Sequence, residues 1–285
     1  MNDATYIEHD RHFTDYRRRL EARGVHSIAM DLEGEFNLHV YGERFCLLQL
    51  FDGTEGAVID PFTVSIGLIK ELLEDEAIEK VTYDSASDRL LLAKAHGVSV
   101  NAIVDLRPAV EILEFEKQDL TSVLAHALGV HGGGSKKRFQ RYNWTRRPLD
   151  PEAVRYAVRD VRHLFALKDV LFQMLSQVEL MDRYLKENRR RQDRVPDVHR
   201  KPGLFRSSRY ERLDRDQKRE LKRIYDIREQ YARELDLPPN TVLENTDLFG
   251  LVCGEIGPAE MRTNRRVPER VFRALQRDIT GGELP

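Results

Sequence analysis

Hydrophobic residues in the first hundred positions fall into short runs that turn residues separate. Runs of this length, rich in β-branched, aromatic and aliphatic side chains, are typical of β-strands. Between residues 26 and 61 they are HSIAMDL, FNLHVYG, RFCLLQLFD and GAVIDP, and further along the chain EKVTYDS and NAIVDL. Gly34, Gly42 and Gly53 lie between the first runs and indicate turns. The pattern predicts a β-sheet in this part of the chain.

Helical periodicity appears between the later strand candidates. In SIGLIKELLEDE, hydrophobic residues recur at the spacing of one helix face, and ASDRLLLAKAHG ends at Gly97, as a helix commonly does. Three strands followed by alternating helices and strands indicate an α/β fold.

The second half of the chain is predominantly helical. Residues 131–148 have no periodicity and predict an exposed loop. Asp150 and Pro151 then form a helix start, and an apolar stripe continues from Val161 to Val178. A basic, proline-containing segment and further helical sequence follow. We predict a first domain at 1–188, a linker at 189–207 and a helical domain at 208–281.

Composition narrows the class of protein only slightly. The chain has 285 residues with a formal net charge of -2, so it lacks the overall basic character of many nucleic-acid-binding proteins. Its two cysteines show no metal or redox spacing. The amino end is polar, and no apolar run approaches the length of a membrane span. We therefore expect a cytoplasmic protein without a membrane partner.

Two carboxylates interrupt the first predicted strand, in the stretch SIAMDLEGEF. Residues two apart on a strand share a face, so Asp31 and Glu33 would lie side by side and repel. Acids that start a turn after the strand are one interpretation. The other is that a positive charge lies between them.

Three further residues carry candidate chemistry, each with an ordinary structural alternative. Asp88 falls in the first turns of a predicted helix, where an acid can simply stabilise the helix start. Tyr156 and Asp160 are four residues apart and share one helix face. Asp160 could instead pair with a neighbouring arginine, and Tyr156 could be a core residue.

The stretches MDLEGE, KVTYDSASD and YAVRD resemble the three motifs of the DEDD exonuclease superfamily. The tyrosine four residues before the last acid marks the DEDDy branch. LLQLFDG and KRFQRYNWTRRPL also resemble the ribonuclease D family, so that the likeness covers residues 20–180. D-x-E alone would be a weak signal, whereas four acids in order with the tyrosine in register form a specific one.

The resemblance implies both a fold and a reaction. The fold is ribonuclease H-like, an α/β fold with a mixed five-stranded sheet flanked by helices, and a small all-α bundle follows it here. Asp31 and Glu33 would end the first strand and hold two divalent cations, Mg²⁺ or Mn²⁺, together with Asp88 and Asp160. Asp31 would bridge the two cations, and the Tyr156 hydroxyl would orient the attacking water. The implied reaction is hydrolysis of RNA from its 3′ end to nucleoside 5′-monophosphates.

Substrate contacts are expected mainly from the loop before the third motif. Its cations and interleaved aromatic residues suit single-stranded nucleic acid, although a solvated loop with Trp144 as an anchor is the alternative. The candidate substrate-binding residues are Leu32, Lys136, Gln140, Trp144 and Arg147. Residues 208–281 resemble the helicase-and-RNase-D C-terminal (HRDC) domain, an accessory for nucleic acids or partners. Single-stranded RNA 3′ ends are the expected partner, with tRNA precursors as one candidate.

Two other functions fit the same fold. One is an exonuclease for DNA or for short oligonucleotides, because the metals act on the phosphate and not on the sugar. The other is a noncatalytic RNA-binding adaptor, which is less favoured because such relatives typically lose metal-binding acids and this chain keeps all four. The sequence gives no indication of oligomeric state.

Overall fold

The computed structural model describes residues 4–131, 139 and 141–281. The chain divides into two compact units. The first comprises residues 1–34 and 44–198, and the second comprises residues 35–43 and 199–285.

A mixed six-stranded sheet forms the centre of the first unit. Its spatial order is β1-β4-β3-β2-β5-β6. β1 is parallel to β4, β2 to β5 and β5 to β6, whereas β3 is antiparallel to β4. The strands are β1 (Thr5–Ile7), β2 (Ser27–Phe36), β3 (Glu43–Phe51), β4 (Gly56–Ile59), β5 (Glu79–Thr82) and β6 (Ile103–Asp105). The predicted α/β class is confirmed, and the short β1 at one edge makes six strands where five were expected.

The first long strand differs from the prediction at its end. β2 continues past both acids to Phe36, so Asp31 and Glu33 lie within the strand and not at its end. The predicted strand FNLHVYG is wrong, because residues 37–42 form the turn between β2 and β3. Asn37 adopts a left-handed backbone with φ of 57°, and its side-chain oxygen accepts a hydrogen bond from Gly42 N–H at 2.7 Å.

Eight helices surround the sheet in the described part of the first unit. They are α1 (Asp10–Ala22), α2 (Ile66–Glu74), α3 (Ala86–His96), α4 (Arg107–Ile112), α5 (Leu120–Leu128), α6 (Pro151–Arg162), α7 (Leu164–Gln177) and α8 (Met181–Asp193). The predicted helix start is confirmed, since the Asp150 side chain accepts from Glu152 N–H and Pro151 is the first helical residue. The long apolar stripe is divided at His163 into two helices.

The alternation along β2 separates two hydrophobic clusters on opposite faces of the sheet. Ile28, Met30 and Leu32 belong to the cluster that includes α1 and α2. Ala29 belongs to the other cluster, together with Val161 at the end of α6. Residues 31 and 33 are two and four positions after Ala29 and share its face of the strand. Both acids therefore face the side of the sheet that α6 covers.

The second unit is helical around its own hydrophobic core. Its helices are α9 (Ser208–Glu211), α10 (Arg215–Glu234), α11 (Pro239–Val242), α12 (Asn245–Cys253) and α13 (Glu269–Thr280). The core contains Leu221 and Ile224 from α10, Leu248 from α12 and Leu275 from α13. α10 begins with a capping box between Asp214 and Gln217.

Residues 35–43, which follow the acids of β2 directly, belong to this second unit. Tyr41 N–H donates to Asp236 at 3.2 Å, and the Tyr41 hydroxyl donates to Glu229 at 3.2 Å. Arg266 donates to the carbonyl of His39 at 3.0 Å. The helices of the unit therefore hold the turn between β2 and β3. Among the described residues, no helix is long and apolar enough to cross a membrane.

Candidate active site

Four carboxylates from three elements of the first unit lie close enough for their charges to interact. Asp31 and Glu33 lie on β2, Asp88 lies in the first turn of α3, and Asp160 lies near the end of α6. Each side chain is half-buried. The charge of Asp160 acts on Asp31 and Glu33, and the charge of Asp31 acts on Glu33 and Asp88. The structure thus brings together the four acids that the sequence singled out.

The pKa values of three of these carboxyls are raised. Burial, and to a smaller extent the charge of Asp160, raises the pKa of Asp31 to about 7. Burial also raises the pKa of Glu33, and the charges of the other three acids raise it further. The pKa of Asp88 is raised by burial and then by the charges of Asp31 and Asp105. All of these shifts express the cost of crowding negative charge away from water.

Among the described residues, no basic side chain pairs with Asp31, Glu33 or Asp88. Asp160 Oδ1 lies 3.8 Å from Arg159 Nε. The described ranges contain no group of three acidic, histidine or cysteine side chains placed to hold a metal ion.

Tyr156 lies one helical turn before Asp160 on α6. Burial raises its pKa, and the charges of Asp160, Glu33 and Asp31 raise it further, so the hydroxyl keeps its proton at neutral pH. Its ring stacks on Phe139 with the ring centroids 5.1 Å apart and packs against a hydrophobic cluster that includes Ala157. Both interpretations of Tyr156 therefore apply: the ring belongs to the core, and the hydroxyl lies in the field of the acids.

The five candidate substrate-binding residues have different surroundings. Leu32 is buried with the core cluster on the face of the sheet opposite the acids. Trp144 is also buried, with its ring centroid 4.8 Å from that of Tyr142, as the anchor interpretation expected. Lys136 and Gln140 lie outside the described residues. Substrate contact by these residues stays a prediction.

Arg147, the fifth candidate, is part of an internal ion pair. Its guanidinium donates to both carboxylate oxygens of Asp60, with Nη2 2.8 Å from Oδ1, and to the carbonyl oxygens of Cys46 and Trp144. The Tyr6 hydroxyl donates to Asp60 at 2.7 Å. Burial alone would raise the pKa of Asp60, but the bonds from Arg147 and Tyr6 outweigh it and leave that pKa lowered. Sequence inspection missed this network because Asp60 lies 87 residues before Arg147.

Replacing Arg147 by alanine is expected to destabilise the protein by about 3 kcal/mol, because it leaves the buried Asp60 carboxylate without its main partner. The matched control is Arg146→Ala, which removes an exposed arginine from the same loop and is expected to change stability by less than about 0.5 kcal/mol. Urea unfolding measures both changes. Weakened substrate binding by Arg147→Ala without loss of stability would instead favour the substrate-binding interpretation.

A cavity of about 820 Å³ lies beside α6. Val154, Val158, Arg155 and Arg159 of that helix contribute to its wall. The four acids and Tyr156 are not among the described residues that line it.

A profile of the 3′–5′ exonuclease family matches residues 5–176. A curated relative, ribonuclease D of Xanthomonas oryzae pv. oryzae, is 28% identical over 263 residues, which are 84% of this chain and 65% of the relative. Protein RRP6-like 2 of Arabidopsis thaliana is 30% identical over 152 residues, 52% of this chain and 17% of the relative. The chain thus spans less than two thirds of the length of these relatives.

Solved structures share the fold at low sequence identity. Escherichia coli RNase D, described as an exoribonuclease involved in structured RNA processing, matches with a TM-score of 0.72 at 22% identity, covering 100% of this chain and 76% of that one. The catalytic core of RRP6 from Trypanosoma brucei gives 0.74 at 21% identity, covering 99% and 80%. Brucella melitensis NrnC bound to pGG gives 0.52 at 22% identity, covering 61% and 84%. At these identities the likeness concerns the fold alone.

Proposed function

The chain belongs to the 3′–5′ exonuclease family, and from this premise we propose that it is a 3′–5′ exoribonuclease. It would hydrolyse RNA from the 3′ end, releasing nucleoside 5′-monophosphates. The observation that carries the proposal is the cluster of four carboxylates from β2, α3 and α6, three of which have no basic partner in the described ranges. Such a cluster costs stability unless protons or cations neutralise its charge.

The donor set suits magnesium or manganese. Both ions prefer carboxylate and water oxygens, and Mg²⁺ in particular is commonly held by one or two carboxylates with the remaining ligands from water and substrate phosphate. When bound, two such cations lower the pKa of a water molecule and stabilise the departing 3′ oxygen.

Each acid has a place in this proposal. Asp31 would be the ligand that both cations share, as the resemblance to the exonuclease family implies, and its charge acts on Glu33 and on Asp88. Glu33 and Asp160 would help to hold the cation beside the attacking water. Asp88 would help to hold the other cation.

Tyr156 would orient the attacking water. Its hydroxyl stays protonated in the field of the acids, so it can donate a hydrogen bond as well as accept one. The stack on Phe139 fixes the plane of the ring, which limits the directions that the hydroxyl can take.

RNA is the substrate that the relatives favour. The ribonuclease D name of one relative and the structured RNA processing of E. coli RNase D support RNA as the substrate. Within that class we propose single-stranded RNA with a free 3′ end, with tRNA precursors as one candidate. The helical region at 208–281 would act as an accessory that holds longer RNA, and we place the enzyme in the cytoplasm. A short-oligonucleotide exonuclease is the second candidate, since NrnC shares the fold and was solved bound to pGG.

The test compares end-labelled RNA, DNA of the same sequence and a dinucleotide, each with a free and with a blocked 3′ end. We expect stepwise shortening of the free RNA in Mg²⁺ or Mn²⁺, no reaction of the blocked RNA, and loss of activity in excess chelator. Protein carrying Asp31→Asn, purified in parallel, controls for contaminating nucleases. Activity confined to the dinucleotide would favour the second candidate. Full activity in chelator would refute the metal mechanism.

The raised pKa of Asp31 predicts how the stability of the metal-free protein depends on pH. The unfolded chain releases this proton near pH 4 and the folded chain near 7, so between these values the folded form binds more protons. The free energy of unfolding should therefore fall as pH rises from about 5 to about 8. Mg²⁺ should restore more stability at the higher pH, where it need not displace a proton.

Urea unfolding in chelator and in Mg²⁺ across this range measures both effects. The control is Asp31→Asn, in which the fall between these pH values should be smaller. An equally steep fall in that variant would contradict the assignment to Asp31.

A further inference from the structure

Asp105, the last residue of β6, is a buried carboxylate that the proposed reaction does not use. Its side chain accepts four hydrogen bonds: from the N–H groups of Asp84, Ser85 and Arg107, at 2.8, 2.9 and 3.0 Å, and from the Ser85 hydroxyl at 3.0 Å. Only 5% of the residue is exposed. Three of the four donors belong to the two residues that immediately precede α3.

The start of α3 depends on these bonds. Asp84 adopts a left-handed backbone with φ of 60°, which turns the chain from β5 into the helix. Ser85 is the residue before the first helical residue, but its hydroxyl does not cap the helix and donates to Asp105 instead. The Asp105 carboxylate therefore fixes the turn from which α3 starts. Asp88 is the third residue of that helix.

Side chains of α8 form hydrogen bonds with the backbone of β6. Asn188 accepts from Asp105 N–H at 3.0 Å and donates to the Ile103 carbonyl at 2.8 Å. The buried Tyr184 hydroxyl donates to the Asp105 carbonyl at 3.1 Å. These bonds to side chains of α8 fix the strand end on which the Asp105 carboxylate stands.

The first turns of α3 have a second tie to the same region. Arg89, next to Asp88, donates to the carbonyl oxygens of Arg191, Gln192 and Arg194, at 2.6, 2.7 and 3.3 Å. Carbonyl groups at a helix C-terminus lack partners within the helix and attract cations. α3 is thus anchored at its start by Asp105 and one residue beyond Asp88 by Arg89.

We propose that Asp105 is a positioning residue for a divalent cation site: through Ser85 and the start of α3 it sets where the Asp88 carboxylate stands. The inference rests on the proposed function, because it assumes that Asp88 is a metal ligand. The supporting bonds from α8 begin after residue 176, where the family match ends. This part of the catalytic architecture is therefore built from residues outside the matched region.

The Asp105 carboxylate has an electrostatic cost at this position. Its charge lies close enough to Asp88 to raise the pKa of that carboxyl, so the pair repels when both are ionised. A neutral side chain at position 105 would avoid this repulsion. The carboxylate, however, accepts more hydrogen bonds from the turn than an amide oxygen can, and so holds the turn more rigidly.

The test uses the full chain and measures metal binding directly. Mn²⁺ is titrated into the protein and followed by electron paramagnetic resonance, and single-turnover rates and melting curves are recorded beside it. Asp105→Asn should weaken Mn²⁺ binding by about 10-fold or more, the scale of losing a group that orients a metal ligand. Ser85→Ala, which removes one of the four bonds, should weaken it by a few-fold and keeps the test open if Asp105→Asn fails to fold.

The matched control is Asp169→Asn. It also changes an acid to an amide in the first unit, but Asp169 is an exposed residue of α7, outside the turn that precedes α3. We expect this control to bind Mn²⁺ as the natural protein does. If folded Asp105→Asn, or Ser85→Ala in its place, also binds Mn²⁺ like the natural protein, the proposal is wrong.

A double-mutant cycle separates this proposal from the proposed function. If Asp105 acts through Asp88, adding Asp105→Asn to Asp88→Asn should not weaken Mn²⁺ binding further. Additive losses would mean that Asp105 acts by another route and would overturn the inference. If Asp88→Asn alone leaves metal binding and activity intact, the metal assignment itself fails, and the inference fails with it for a distinguishable reason.

Discussion

Replacing Asp31 by asparagine is expected to lower the single-turnover rate by at least about 1000-fold, the upper end of what one group that stabilises transition-state charge contributes. Asparagine keeps the size of the side chain but removes the charge from the ligand that both cations would share. Without that charge, the remaining acids would hold both cations more weakly. Rates are measured with substrate bound before Mg²⁺ is added.

The same substitution, Asp31→Asn, should not lower the stability of the metal-free protein and could raise it. Above about pH 7 the Asp31 carboxyl is ionised, although burial and the charge of Asp160 both oppose its ionisation. In chelator, Asp31→Asn should therefore melt at the same temperature as the natural protein or at a higher one. Asp169→Asn, an exposed acid on α7, is the control and should change neither quantity. A variant at position 31 that turns over normally would contradict the role of Asp31.

Replacing Tyr156 by phenylalanine should reduce the rate constant by about 10- to 1000-fold, as expected for a lost transition-state hydrogen bond. Substrate affinity should hardly change, because the ring and its stack on Phe139 remain. Single-turnover kinetics, with a binding curve recorded in the presence of Ca²⁺, separates the two quantities.

The alternative is that Tyr156 serves only the hydrophobic core. In that case the rate should hold, and only the melting temperature should move. The comparison with Phe139→Leu is useful, because it removes the stacked ring and leaves the hydroxyl. It should lower stability, and it should lower the rate less than Tyr156→Phe does. The reverse order would show that packing, and not the hydroxyl, is what the reaction needs.

Local sequence was sufficient for the elements that carry the acids. The alternation in SIAMDLEGEF placed Asp31 and Glu33 on one face, and the start at Asp150 and Pro151 fixed the helix that carries Asp160. Both depend on neighbours within a few residues. The break at His163 was not predicted, because the apolar stripe continues on both sides of it.

Two features that local sequence did not reveal depend on residues far away in the sequence. Residues 37–42 have the composition of a strand, but Tyr41 bonds to Glu229 and Asp236, almost 200 positions later. Arg147 looked like a substrate-binding cation in a basic loop, and its partner Asp60 comes from the end of a strand. No window of local sequence contains such partners, so composition alone cannot separate these interpretations.

The turn at residues 35–43 means that the boundary between the two units crosses the chain three times. A single stop codon after Val198 would remove the helices of the second unit but keep residues 35–43, which would then lack the side chains that bind them. Excising the first unit intact therefore requires two edits: termination after Val198, and a short Asn-Gly turn joining Gly34 directly to Arg44. By the same logic, an insertion or loss of residues in this turn during evolution would be constrained by the helices encoded far downstream, and not only by the strands that flank it.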